Sequence, residues 1–174
     1  SAEEEEPFRF KDLTKVFGSG IFWVVALLCV LYYSAIFPFQ KFATNMLETN
    51  LGLSAETASA IFSYFPIGAM IITPFLGAFL DFKGKGATML MLGSVLMIVC
   101  HTIFALYPFV AGDTTSTIIA YSAIVLLGIS FSLVPAALWP SMPKLIDGKV
   151  LGSAYSATFW IQNVGLMAVP ILIG

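Results

Sequence analysis

Five long stretches of the chain carry no formal charge, and short polar clusters separate them. They run from Val16 to Gln40, Thr57 to Leu80, Gly86 to Gly112, Thr114 to Pro143 and Val150 to Gly174. Each exceeds the roughly 20 residues that a helix needs to cross a hydrocarbon core. The apolar–polar alternation of a barrel strand is missing, and isolated strands cannot satisfy their backbones in lipid. The pattern predicts an all-α membrane protein with five transmembrane helices, at about 16–44, 57–80, 86–110, 114–143 and 150–174. A tail over residues 1–15 precedes them.

Composition sharpens that picture. Hydrophobic residues make up 59% of the 174 positions and charged residues only 10%, more apolar surface than a soluble fold of this size can hide. Glu3 to Glu6 form a solvated acidic run that accounts for much of the net charge of −2. Basic residues set the orientation. Arg9, Lys11, Lys15, Lys83, Lys85, Lys144 and Lys149 fall in segments on one side of the membrane, and Lys41 alone falls on the other. By the positive-inside rule the N-terminus is cytoplasmic. Nothing resembles a basic stripe, so nucleic acid is not an expected partner. Cys29 and Cys100 both lie within apolar stretches and are expected to be unpaired, packed thiols.

Between the second and third stretches runs Gly77-Ala-Phe-Leu-Asp81-Phe-Lys83-Gly84-Lys85-Gly86. This resembles the loop signature G-x-x-x-D-x-x-G-[RK]-[RK] of the major facilitator superfamily, with Gly86 in place of the last basic residue. Tyr32 to Phe39, Ala137-Leu-Trp-Pro140, Leu151 to Tyr155 and Ile161-Gln-Asn-Val-Gly165 are similar to the C-terminal half of the superfamily's lysosomal dipeptide-transporter branch and its bacterial relatives. The resemblance implies that the five helices are helices seven to eleven of a twelve-helix carrier, most of one six-helix half. On that expectation the N-terminal half and a sixth helix are missing partners, and residues 1–15 belong to the cytoplasmic linker. It also implies a conformational gate made of Gly77, Asp81, Gly84, Lys85 and Gly152, with Asp81 latching onto the start of the fifth helix at Leu151-Gly152-Ser153. A small-residue row, Ala69-xxx-Thr73-xxx-Gly77, predicts close approach of another helix.

The same architecture directs the first and fourth helices towards a central cavity. Tyr33, Phe37 and Gln40 share a face of the first at helical spacing, and Ser132, Pro135 and Trp139 share one of the fourth. Gln162 and Asn163 sit near the middle of the fifth, where an unpaired amide is costly, so they must face protein or water. Tyr33, Phe37, Gln40, Ser132, Trp139, Gln162 and Asn163 are therefore the candidate substrate-binding residues, with Ser63 and Tyr64 weaker ones. His101 reads as a neutral, hydrogen-bonded structural histidine, since no mid-membrane charge accompanies it. Pro66 and Pro74 are expected to interrupt the second helix. Pro135, Pro140 and Pro143 are expected to break the end of the fourth.

These readings imply a multi-pass carrier that moves a small solute, a short peptide or another amphipathic metabolite, by alternating access. The expected partners are that solute and the lipid bilayer. No catalytic constellation, metal-ligand set or cofactor motif is present, so an enzyme is not expected. A non-transporting scaffold or receptor on the same fold is the alternative. The lack of an Asn-x-Ser/Thr sequon favours a bacterial inner membrane over a glycosylated lysosomal one.

Overall fold

The computed structural model describes residues 10–173, with the side chains of Lys41, Tyr64, Leu80, Asp81 and Ile173 outside that description. The acidic run at Glu3 to Glu6 lies outside it too. The described residues form helices α1 (Phe10–Phe17), α2 (Gly20–Leu51), α3 (Ala55–Lys83), α4 (Gly86–Leu106), α5 (Thr114–Leu145) and α6 (Leu151–Ile173). A single 3-10 turn, Gly148–Val150, leads into α6, and no strand occurs among them. Helices α2 to α5 contain four segments long and apolar enough to cross a membrane. Helix α6, of 23 residues, is as long as α4 and carries no charged side chain.

Charge marks where lipid ends better than where helix ends. Helix α2 passes Lys41 and Glu48 and stops only at Leu51, because Gly52 takes a left-handed φ of 66° and returns its N–H to the Glu48 carbonyl at 3.0 Å. That is the usual glycine helix stop. Helix α4 stops at Leu106, short of the expected 110, because Tyr107 precedes Pro108 and adopts an extended ψ of 130°. A residue before proline avoids helical geometry. The expected proline breaks do not occur: α3 runs through Pro66 and Pro74, and α5 through Pro135, Pro140 and Pro143. Each proline forfeits one internal hydrogen bond, which a membrane helix tolerates when its neighbours re-satisfy the freed carbonyl.

The chain divides into two compact units, with boundaries inside α2 at Pro38 and Phe39 and inside α5 at Trp139 and Pro140. In the first unit, α1 packs against α6 and the 3-10 turn. Its Val16 is buried, and Trp23 Nε1 donates to the Phe17 carbonyl at 2.8 Å, closing the α1–α2 corner. Along α2, Phe22, Cys29, Ile36 and Ala43 recur every seventh residue and are all fully buried. A seven-residue repeat keeps one seam of a helix facing its neighbours.

The second unit is built around α5. Half of its span is buried, against 22% for α4. Two seams hold it. Against α4, Ser130 Oγ donates to the Gly93 carbonyl at 2.7 Å, and a Cβ on Gly93 would lie 2.7 Å from Val134 Cγ2 and 3.2 Å from Leu133 Cβ. Against α3, Ser132 Oγ donates to the Ala69 carbonyl at 3.3 Å and to Gly128 O at 3.0 Å. Interhelical hydroxyl bonds of this kind are worth about 0.6 kcal/mol on average in membranes. Phe39 stacks at a tilt on Phe104, with centroids 5.1 Å apart, and on His101 at 5.2 Å. His101 Nδ1 lies 2.9 Å from the Met97 carbonyl, which makes Nδ1 the protonated nitrogen. Cys29 and Cys100 are buried free thiols. Outward-facing Val95, Ile98, Met70 and Phe75 are exposed, as lipid contact requires.

Asp113 starts α5. Its Oδ2 accepts the Ser116 N–H at 2.7 Å, while Ser116 Oγ accepts the Val110 N–H at 3.1 Å. The backbone and side-chain bonds from Ser116 hold the Asp113 carboxyl below its ordinary value of 3.8, helped by the Thr115 N–H.

Two predictions follow from these contacts. Gly93→Leu is expected to lower stability by about 1–3 kcal/mol through overpacking. Gly128→Ala, whose new Cβ sits 3.6 Å from the Phe65 ring, should change it by less than about 0.5 kcal/mol. Thermal melts in detergent measure both. For Asp113, a depressed folded-state pKa means that its stabilisation is present at neutral pH and is lost as pH falls through that pKa. Asp113→Ala should therefore melt below wild type at pH 7, and the two curves should converge only below about 3.8.

Candidate functional site

In the first unit, α2 and α6 meet at Gly165. A Cβ there would stand 2.7 Å from Val30 Cγ1 and 3.2 Å from Ser34 Oγ, so only glycine allows this approach. Gln162 lies one turn earlier on α6 and is 7% exposed. Its Oε1 and Ser34 Oγ are both buried without a hydrogen-bond partner. An unmet buried polar atom costs roughly 1–3 kcal/mol. The neighbouring Asn163 behaves differently: it is exposed, and its Nδ2 donates to the Phe159 carbonyl at 2.8 Å. On α2, Tyr33 and Phe37 stack with centroids 5.7 Å apart and planes 14° from parallel. Tyr33 also packs edge-on against the buried Tyr32 at 5.2 Å. The first unit thus carries four of the expected site residues on two helices: Tyr33, Phe37, Gln162 and Asn163.

The other three expected site residues belong to the second unit. Gln40 and Trp139 are half-buried, and Ser132 is fully buried with its hydroxyl used in the α3–α5 seam. Beside that seam lies a cavity of about 250 Å³, lined by Ile61, Phe65, Ile72, Ile124, Val125 and Gly128, with Tyr121 at its edge. Its walls are apolar apart from that phenol, so it offers space without directional chemistry. Ser63, a weaker candidate, is exposed and donates to the Ala60 carbonyl at 2.6 Å. The Tyr64 side chain lies outside the described residues.

Of the gate residues, Gly84 takes a left-handed φ of 65° between α3 and α4, where a side chain is strained. Lys85 occupies the N-cap position of α4 without a side-chain capping bond. The approach expected at Gly77 is not made: nothing described lies within 4 Å of where its Cβ would sit, and the same holds at Gly152. The close contact of the Ala69-xxx-Thr73-xxx-Gly77 row is confined to Ala69. The Asp81 side chain, the centre of the expected latch, lies outside the described residues. Among the described residues no cluster of His, Cys, Asp or Glu is able to hold a metal.

Sequence reasoning did not single out Ser34. A serine in an apolar helix ordinarily turns its hydroxyl back to its own backbone, so composition alone gives no signal. The signal available was Gly165, which predicts a helix crossing close enough to trap a facing side chain.

Helical spans, the glycine-mediated seams and the loop after α3 converge on one family, and comparison with known proteins decides it. Residues 1–170 match the family model of the Major Facilitator Superfamily. The chain belongs to the major facilitator superfamily. It is a multi-pass membrane protein. It is similar to the lysosomal dipeptide transporter MFSD1 of Bos taurus, with 32% identity over 152 residues, and of Homo sapiens, with 31% over 152. The protein of the same name from Danio rerio is 31% identical over 155 residues. Each match covers 87% of this chain and 31% of the relative, so the chain spans less than a third of the length of these curated proteins. All three carry the name of a transporter, and none that of an enzyme.

The α2–α6 seam yields a stability test. Gly165→Leu forces a branched side chain against Val30, whose χ1 is stiff, and is expected to cost about 1–3 kcal/mol. Gly20→Ala, at a position with nothing within 4 Å, serves as the neutral control in the same detergent melts.

Proposed function

We propose that this chain forms most of the C-terminal half of a solute carrier that works by alternating access, with α2 to α6 as its helices seven to eleven. The observation that carries the reading is the family match across residues 1–170. On this reading α6 completes a fifth span, the N-terminus is cytoplasmic, and the rest of the carrier supplies the opposite wall of the pathway. Seven basic residues against one support that orientation.

The solute is a small peptide or another amphipathic metabolite. Support comes from the names of the relatives and from the chemistry on α2 and α6, where a stacked aromatic pair accompanies a buried amide. Tyr33, Phe37, Gln40, Ser132, Trp139, Gln162 and Asn163 are the residues we assign to contact with it. Apolar rings with few polar groups suit a ligand that must bind and then leave. The described spans carry no acidic or basic side chain facing mid-membrane. Charged ends of a peptide therefore find their counter-charges on the rest of the carrier and only neutral partners on these spans. Gly77, Asp81, Gly84, Lys85 and Gly152 form the cytoplasmic gate. A bacterial inner membrane is the setting we favour, although the relatives are named as lysosomal.

Uptake by the complete transporter in liposomes tests this. Wild type is expected to accumulate a dipeptide probe, and Asp81→Asn to lower kcat roughly tenfold or more, the scale of one lost charge-assisted contact. A membrane scaffold or receptor shows no uptake in either form.

A further inference from the structure

Two polar atoms, Ser34 Oγ on α2 and Gln162 Oε1 on α6, are used unlike the hydroxyls elsewhere on the helices. Thr49 donates to Asn45 O at 2.8 Å, Thr73 to Ala69 O at 2.7 Å, Ser94 to Leu90 O at 2.8 Å and Thr158 to Ala154 O at 2.8 Å. Ser130 instead crosses to Gly93 O. Each hydroxyl thereby finds a carbonyl, on its own helix or the next. Ser34 Oγ and Gln162 Oε1 find nothing, although both are buried. They share one seam: Ser34 Oγ faces the α6 backbone at Gly165, 3.2 Å from its would-be Cβ. Gln162 precedes Gly165 by three residues, and positions three apart lie on one helix face.

The chemistry of the two atoms restricts what can meet them. An amide oxygen only accepts, while a hydroxyl both accepts and donates. The missing group must therefore be a donor, which excludes a carboxylate at Gln162 Oε1. A protonated amine carries three donors. No charged side chain lies on α2 between Gly20 and Gln40 or anywhere on α6 to compete with it or repel it.

We propose that Ser34 Oγ and Gln162 Oε1 form a donor-recognising subsite between α2 and α6 that takes the protonated amine end of the carried solute. The proposal rests on the carrier reading above. An ordered water shares the same chemistry, and the experiment separates the two sources. The probes are L-leucyl-L-alanine and its N-acetyl derivative, offered to the complete transporter in liposomes, with melting temperatures recorded in detergent. Gln162→Met and Ser34→Ala are each expected to raise KM for the free dipeptide about tenfold, the scale of one hydrogen bond to a charged group, with kcat nearly unchanged. The acetylated probe, which lacks the ammonium, should be poor for wild type and insensitive to both variants. Unchanged KM for the free dipeptide overturns the assignment to the amine, and a melting temperature lowered in both variants then identifies an ordered water as the donor's source. An equal rise in KM for both probes overturns the assignment to the amine. Unchanged KM with an unchanged or raised melting temperature overturns the subsite altogether, because removing atoms that had no partner costs nothing. If wild type takes up no peptide, the carrier reading fails, and the melting temperatures still report on the seam.

Discussion

In hydrocarbon a backbone amide has no water to fall back on, so every N–H and C=O must be paired within the protein. That constraint makes α2 to α5 continuous helices despite the six prolines inside them, from Pro38 to Pro143. It also confines irregular backbone to the connectors, where Gly52, Gly84 and Gly112 take positive φ. Once the helices are fixed, a second constraint operates. Lipid tails are as apolar as leucine, so helices do not associate by hiding oily surface. They associate where backbones come close enough for dispersion and hydrogen bonding to accumulate. Gly93 against Val134, Gly128 against Phe65 and Gly165 against Val30 are such places.

Much of this was legible in the residues. Charge-free stretches located the long helices, and the row that begins at Ala69 does meet another helix there, where Ser132 closes onto its carbonyl. His101 is hydrogen-bonded through Nδ1 to the Met97 carbonyl, as a structural histidine was expected to be. The breaks expected at the prolines treated local composition as if it decided helix termination. Helix α2 ends where a glycine takes the left-handed conformation, and α5 absorbs three prolines because its surroundings hold it.

The candidate site was legible in part for a related reason. Tyr33 and Phe37 are four apart and stack as that spacing allows. Gln162 and Asn163 look equivalent in sequence, yet a rotation of about 100° between adjacent residues sends one into the seam and the other outward to bond Phe159 O. Ser34 was invisible because whether a helical hydroxyl back-bonds or stays unpaired depends on the residues packed across from it. For Ser34 that neighbour stands more than a hundred positions along the chain, at Gly165.

The seams of the two units differ in the state of their polar groups. In the second unit Ser130 and Ser132 are satisfied across the helix interface, and separating α5 from α4 or α3 breaks those bonds without replacement. A seam of this kind resists change. In the first unit the α2–α6 seam is closely packed at Gly165 and yet leaves two polar atoms unmet. Any donor that arrives there gains a bond without displacing an existing one, so its binding free energy is large relative to the contact it makes. A carrier needs interactions that appear only when solute is present, because only differential binding shifts its conformational equilibrium. Saturated seams hold these helices together, and on the carrier reading proposed above the unsaturated one is where a solute has something to add.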